Sequence, residues 1–317
     1  MIILNEILFL LFAFFTVFLS IKVSYYVDYL SKHSKLSGAL LAGILLAGVT
    51  SLPEFVTCFS AIFVDNNLLA VGDILGSNIF NIFMISVFDL FFIKKTMFFN
   101  MNKSHNLIFI LLLINYFVLY LFVGKLSFNL SFIGIPTLCI LLTYGYYLYR
   151  VSFISEKKVK INDSSSGDIV LKLIITSLFM IFSSIVLTVL VNNLAQLHPH
   201  FSSSFLGSIF LGVTTSLPEV ITCYALISMQ NYDLALDDII GSNFFNLLIL
   251  AIGDLSLKGS SIFYYADTGV FTLIVLGLAF TFISFISCNK HFKKYYGLLS
   301  FIIVVIYLGY WIINFLG

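Results

Sequence analysis

The stretch TSLPE, Thr50 to Glu54, recurs unchanged at Thr215 to Glu219. Both copies sit inside long apolar runs. Proline interrupts a helix there by removing a backbone donor and crowding the carbonyl one turn back, and a carboxylate at membrane depth is costly. A chain that accepts both penalties twice needs the polar group it places in lipid.

The duplication reaches beyond these five residues. With a constant shift of 165, residues 46–90 overlie 211–255 without a gap at about 20 identities in 45 positions, the mark of an internal repeat. The matches include Thr50/Thr215, Ser51/Ser216, Pro53/Pro218, Glu54/Glu219, Asp73/Asp238, Gly76/Gly241, Ser77/Ser242, Asn78/Asn243, Asn81/Asn246 and Asp89/Asp254. Mostly polar and helix-breaking residues are kept, while the apolar filler has drifted.

Of 317 residues, 60% are hydrophobic and 10% charged, and the mean hydropathy is +1.08. This excludes a water-soluble globular domain and indicates a polytopic membrane protein. Apolar runs of about 20 residues, enough to cross about 30 Å of hydrocarbon, occur at roughly 4–26, 38–64, 68–92, 104–124, 129–149, 169–192, 203–229, 233–256, 266–288 and 296–316. All ten are expected to be helices, because lipid cannot satisfy exposed backbone groups.

The polar stretch RVSFISEKKVKINDSSSGD at 150–168 reads as a linker between five-span halves at 1–149 and 169–317. An odd number of spans per half makes the second copy run the opposite way through the bilayer. The predicted fold is therefore all-α, ten transmembrane helices in two inverted five-helix repeats. Such repeats place a substrate site near the midplane, where broken helices meet.

Ten spans put Lys32, Lys35, Lys94, Lys95, Lys103, Arg150, Lys157, Lys158, Lys160, Lys290, Lys293 and Lys294 on one side, against Lys125 and Lys258 on the other. The richer side, linker included, is cytoplasmic by the positive-inside rule, so both termini are expected outside the cell membrane. The first run lacks the basic start and small-residue cleavage site of a signal peptide and reads as a retained helix. Cys58, Cys139, Cys223 and Cys288 lie in apolar runs and read as packing residues. HPH at 198–200 lacks an evident third ligand and reads as a loop histidine pair.

Pro53, like its counterpart Pro218, should kink its helix, freeing carbonyls near Val49 and Thr50 for a cation. Glu54 lies three and four residues after Ser51 and Thr50, on one helical face. Ser77 with Asn81, and Ser242 with Asn246, are i,i+4 neighbours beside glycines that let helices approach closely. Bringing these faces together gives an all-oxygen cage with two carboxylates, suited to a hard cation. Calcium, with 6–8 oxygens in flexible geometry, fits better than magnesium, and zinc or copper is not expected, since no histidine or cysteine reads as symmetrically placed beside the glutamates. Two carboxylates balance one divalent ion or the monovalent ions that replace it, which is the physical basis of exchange.

Asp73 and Asp238 read either as an outer ring of the site or access path, or as helix caps or partners of a nearby amide. Asp89 and Asp254, near the far ends of their spans, read as interfacial anchors or caps.

The doubled motifs VTSLPE…GSNIFN and TTSLPE…GSNFFN in halves of five spans resemble the calcium/cation antiporter superfamily, in particular prokaryotic sodium/calcium exchangers. The resemblance implies that Glu54 and Glu219 are the central ligands. Ser51, Ser77, Ser216 and Ser242 would add oxygens, Thr50 and Thr215 backbone carbonyls, and Asn81 and Asn246 would complete the ring. It also implies that the first and sixth spans move against the rest. Several relatives, potassium-dependent ones among them, carry Asp at the position of Asn246, and proton-driven members tend to carry Glu at the positions of Asn81 and Asn246, so two asparagines lean by resemblance toward sodium and away from protons or obligatory potassium.

The expected activity is secondary antiport of sodium against calcium, with a proton/calcium exchanger as the alternative. An uncoupled cation channel and an intramembrane hydrolase are more distant rivals. Calcium and sodium are the transported ions and the bilayer is the surrounding partner. No cofactor, nucleic acid or obligate protein partner is expected, and no enzymatic chemistry.

Overall fold

The protein is described by a computed structural model over residues 2–33, 41–91, 103–124, 129–130, 133–153, 166–195, 205, 207–257, 261–288 and 295–316. The first half comprises α1 (Ile2–His33), α2 (a π-helical turn Leu41–Leu46 running on as Ala47–Thr50), α3 (Leu52–Phe63), α4 (Asn67–Phe91), α5 (Lys103–Phe122) and α6 (Ile135–Phe153). The second half repeats the order with α7 (Ser166–Ala195), α8 (Gly207–Leu211 running on as Gly212–Thr215), α9 (Leu217–Ser228), α10 (Tyr232–Ser256), α11 (Thr268–Ser287) and α12 (Tyr296–Leu316).

Helix occupies each of the ten apolar runs, with one correction. The run at 129–149 opens as a two-residue hairpin, β1 (Asn129–Leu130) antiparallel to β2 (Ile133–Gly134), and α6 begins only at Ile135. Pro136 explains the late start: proline fits the first turn of a helix, where its missing donor costs nothing, and not its interior. Among the described residues five helices, α1, α4, α10, α11 and α12, are individually long and apolar enough to span a bilayer, or up to seven with the bent pairs α2/α3 and α8/α9. Most of the lysines behind the sidedness expectation, the histidines of HPH and most of the linker lie outside the described residues.

Both breaks fall where TSLPE places them. The axis turns by 50° between α2 and α3 and by 46° between α8 and α9. Ser51 and Ser216 sit at the two corners, and each proline lies in the first turn of the helix that follows. Past these helices the chain turns through Asp65 at φ 59° and Gln230 at φ 60°, residues that also differ by 165, so the repeat holds in the backbone where the side chains differ.

The halves interlock. α2 packs on α10, α8 packs on α4, and α4 and α10 pack on each other at the centre. Their apolar windows are 78% and 72% buried, against 28% for α1 and 22% for α12, which separates a central pair from a lipid-facing rim. Gly76 and Gly241 make the crossings possible: a Cβ on Gly76 would stand 2.3 Å from Ser208 Cα, and one on Gly241 2.3 Å from the Gly43 carbonyl oxygen. α1 and α7 lie side by side, joined by a 2.7 Å hydrogen bond between the Thr16 and Ser183 hydroxyls.

Candidate cation-binding site

The broken helices deliver the two glutamates to the centre. Glu54 and Glu219 each lie in the first turn of the second half-helix, next to the N-terminal positive end of its dipole, and both are fully buried. Because proline carries no amide hydrogen, the donor four residues after Val49 and Thr214 is missing, and the Ser51 and Ser216 amides turn toward those two carbonyls instead.

The contacts between these helices run crosswise. Ser51 Oγ donates to Glu219 Oε1 at 2.9 Å, and Ser216 Oγ donates to Glu54 Oε1 at 3.1 Å. The Thr50 and Ser242 hydroxyls are 3.4 Å apart, as are those of Thr215 and Ser77. Within the first repeat, Ser77 Oγ lies 3.5 Å from Glu54 Oε1. The structure thus gathers each glutamate, serine and threonine singled out in the sequence into one buried, cross-repeat cluster.

Asn81 and Asn246 enter through a network that the motif reading did not use. Asn78 Nδ2 donates to the Asn243 carbonyl and Asn243 Nδ2 to the Asn78 carbonyl, both at 3.0 Å. A backbone carbonyl can only accept, so both amide orientations are determined. The side-chain oxygens of this pair must then receive Asn81 Nδ2 and Asn246 Nδ2, which they do at 3.0 Å. The amide oxygens of Asn81 and Asn246 are thereby left without a donor. Asn78 and Asn243 were legible as duplicated residues, but spacing alone could not show their contact across the repeat boundary.

Four oxygens remain: Glu54 Oε2, Glu219 Oε2, Asn81 Oδ1 and Asn246 Oδ1 are buried and have no hydrogen-bond partner. Leaving such a group unmet costs about 1–3 kcal/mol each, more when charged. Among the described residues no lysine, arginine or histidine is buried to neutralise the carboxylates, and no three of His, Cys, Asp or Glu converge. Cys58 and Cys223 do stand four residues after each glutamate at matched positions, but both are free and buried, and Cys58 Sγ faces Gly253. The donors on offer are carboxylate, amide and hydroxyl oxygens, a set for a hard cation.

The remaining aspartates resolve differently. Asp73 and Asp238 lie inside α4 and α10 and are no helix caps; Thr57 donates to Asp73 Oδ2, and Thr222 donates to Asp238 Oδ2 at 2.8 Å. Asp89 accepts from Ser300 on α12 at 2.8 Å. Asp254 accepts from Thr137, from Ser261 at 2.6 Å and from the Ile262 amide at 2.8 Å, clasping the loop before α11. Both are buried ties between helices, and Asp254 also caps backbone.

The family model described as "Sodium/calcium exchanger protein" matches residues 6–153 and 169–316. The chain belongs to this family. As a sodium/calcium exchanger family member it is a membrane transporter and not an enzyme. It is 26% identical over 223 residues to the inner membrane protein YrbG of Escherichia coli (strain K12), an alignment covering 67% of each chain. Its fold is that of the sodium-calcium exchanger NCX_Mj. Against that protein soaked with 2.5 mM Na+ and 1 mM Sr2+, the TM-score is 0.75 at 18% identity, covering 98% of this chain and 99% of the other. Against NCX_Mj soaked with zero Na+ and Ca2+, the TM-score is 0.70 over 97% and 98%. At this identity the likeness speaks for the fold; the site stands on its own geometry.

Proposed function

We propose that this family member exchanges sodium for calcium across the cell membrane by alternating access at one central site, with both chain termini outside and the 150–168 linker in the cytoplasm. The observation that carries the reading is the set of four buried, unpartnered oxygens, one carboxylate and one amide oxygen from each repeat. With the hydroxyls of Ser51, Ser77, Ser216 and Ser242 and carbonyls near Thr50 and Thr215, they offer more than the six to eight oxygens that calcium accepts. Two carboxylates match one divalent ion, or sodium ions that take its place. An empty site would carry two bare charges through a low-dielectric barrier, so reorientation is favoured only when cations occupy it. The pairing of α1 with α7 supports their moving as one unit against α4 and α10.

Sodium is favoured over protons because the positions that close the ring are Asn81 and Asn246, amides that do not titrate. Calcium-45 uptake into proteoliposomes loaded in turn with sodium, potassium or protons tests this. Internal sodium alone should drive uptake. Proton-driven uptake would overturn the coupling ion, and uptake that persists without a counter-ion would replace exchange by a channel.

A further inference from the structure

Asp73 and Asp238 are fully buried carboxylates with no part in the central set. Each lies four residues before its serine and eight before its asparagine, so 73, 77 and 81, and likewise 238, 242 and 246, share one helical stripe. At 1.5 Å per residue, successive groups are about 6 Å apart along the axis. Each stripe therefore reads carboxylate, hydroxyl, amide, from the start of the helix inward. Because the repeats are inverted, the two stripes start from opposite membrane faces.

Hydroxyls link the first aspartate to the centre. Asp73 Oδ1 is 3.5 Å from Thr215 Oγ1, which is 3.4 Å from Ser77 Oγ, itself 3.5 Å from Glu54 Oε1. On its other side Asp73 accepts from Thr57, and Thr57 lines a crevice of about 250 Å³ between α3 and α7 together with Ser60, Val64, Ile185 and Val189. Thr57 thus stands between the crevice and the aspartate. In the second repeat α1 lies along α9, with Ser24 Oγ 3.4 Å from the Thr222 carbonyl oxygen, over the matching position. There Asp238 Oδ1 is buried with no partner, although Oδ2 is held by Thr222. A tie between helices would need only one oxygen and no charge. An unmet carboxylate oxygen on a stripe leading to a cation site calls for a cation.

We propose that Asp73 with Thr57, and Asp238 with Thr222, form two docking sites for a hard cation, sodium or calcium, one on each access path to Glu54 and Glu219. The inference rests on the central-site reading above. Each aspartate receives the ion from its own membrane face and passes it along the stripe, so each acts on one side only.

The test uses right-side-out and inside-out membrane vesicles from the same cells, with the half-saturating calcium and sodium concentrations measured from each face. Asp73→Asn should raise them at least tenfold from one face and less than twofold from the other, and Asp238→Asn should show the reverse. Equal shifts from both faces, or none, would overturn the proposal, since a merely structural tie has no sidedness. Thr57→Val and Thr222→Val carry the same expectation if an aspartate variant fails to reach the membrane. Glu54→Gln and Glu219→Gln, run in parallel, should abolish exchange; if they do not, the central-site reading has failed, whereas their loss with unsided aspartate variants condemns the docking sites alone.

Discussion

Ser51 of the first repeat donates to Glu219 of the second at 2.9 Å, and Ser216 of the second donates to Glu54 of the first at 3.1 Å. Neither repeat completes its own carboxylate environment. The centre exists only when both corners of the broken helices meet, which is the physical consequence of writing TSLPE twice in opposite orientations.

Truncation of these serines should act symmetrically. Hydrogen bonds to charged groups are worth about 1.5–3 kcal/mol, or about tenfold to a hundredfold in affinity. Ser51→Ala and Ser216→Ala should each weaken calcium binding by that order, measured by calorimetry on purified protein. A much larger effect of one than of the other would break the equivalence of the halves.

The central site should also be detectable without transport. A ligand that binds only the folded state at a hundred times its Kd adds about 2.7 kcal/mol of stability. Calcium should raise the unfolding temperature of the wild-type protein, and the rise should vanish in Glu54→Gln and Glu219→Gln. Both variants should themselves unfold no earlier than the ion-free wild type, because each removes an unpaired buried charge.

The asparagine network predicts an indirect effect. Asn78→Ala should release Asn246, and Asn243→Ala should release Asn81, so each should lower cation affinity and thermal stability together. Asn246→Asp instead introduces a carboxylate that protons can compete for. Exchange by that variant should fall as pH drops from about 8 to about 6, where the wild type changes less, measured by calcium-45 flux at matched sodium gradients.

Close approach at the helix crossings sets a steric limit. Gly76→Ala and Gly241→Ala place a methyl group 2.3 Å from backbone atoms of the partner helix. Overpacking of this kind costs about 1–3 kcal/mol or more. Thermal unfolding should show both variants less stable than the wild type.

Much of this was legible in the sequence because the duplication removes chance. The breaks at Pro53 and Pro218, the burial of Glu54 and Glu219, and the close approach at Gly76 and Gly241 all follow from local rules about proline, charge and glycine. What could not be read were contacts between residues about 165 apart: the Asn78–Asn243 clamp, and the crossing of serines to the opposite repeat's glutamate. Thr57 and Thr222 were marked by their own duplication, yet their partnership with Asp73 and Asp238 depends on how α3 folds back on α4 and α9 on α10. The late start of α6 was missed because apolar Leu130 and Ile133 satisfy a hydropathy window as readily in a hairpin as in a helix.

If calcium and sodium replace each other at the four unpartnered oxygens, exchange requires both glutamates. The decisive measurement is calcium-45 uptake into sodium-loaded proteoliposomes, with Glu54→Gln and Glu219→Gln alongside. Uptake should require internal sodium and disappear in both variants; sodium-driven uptake that survives either substitution would rule out a shared site.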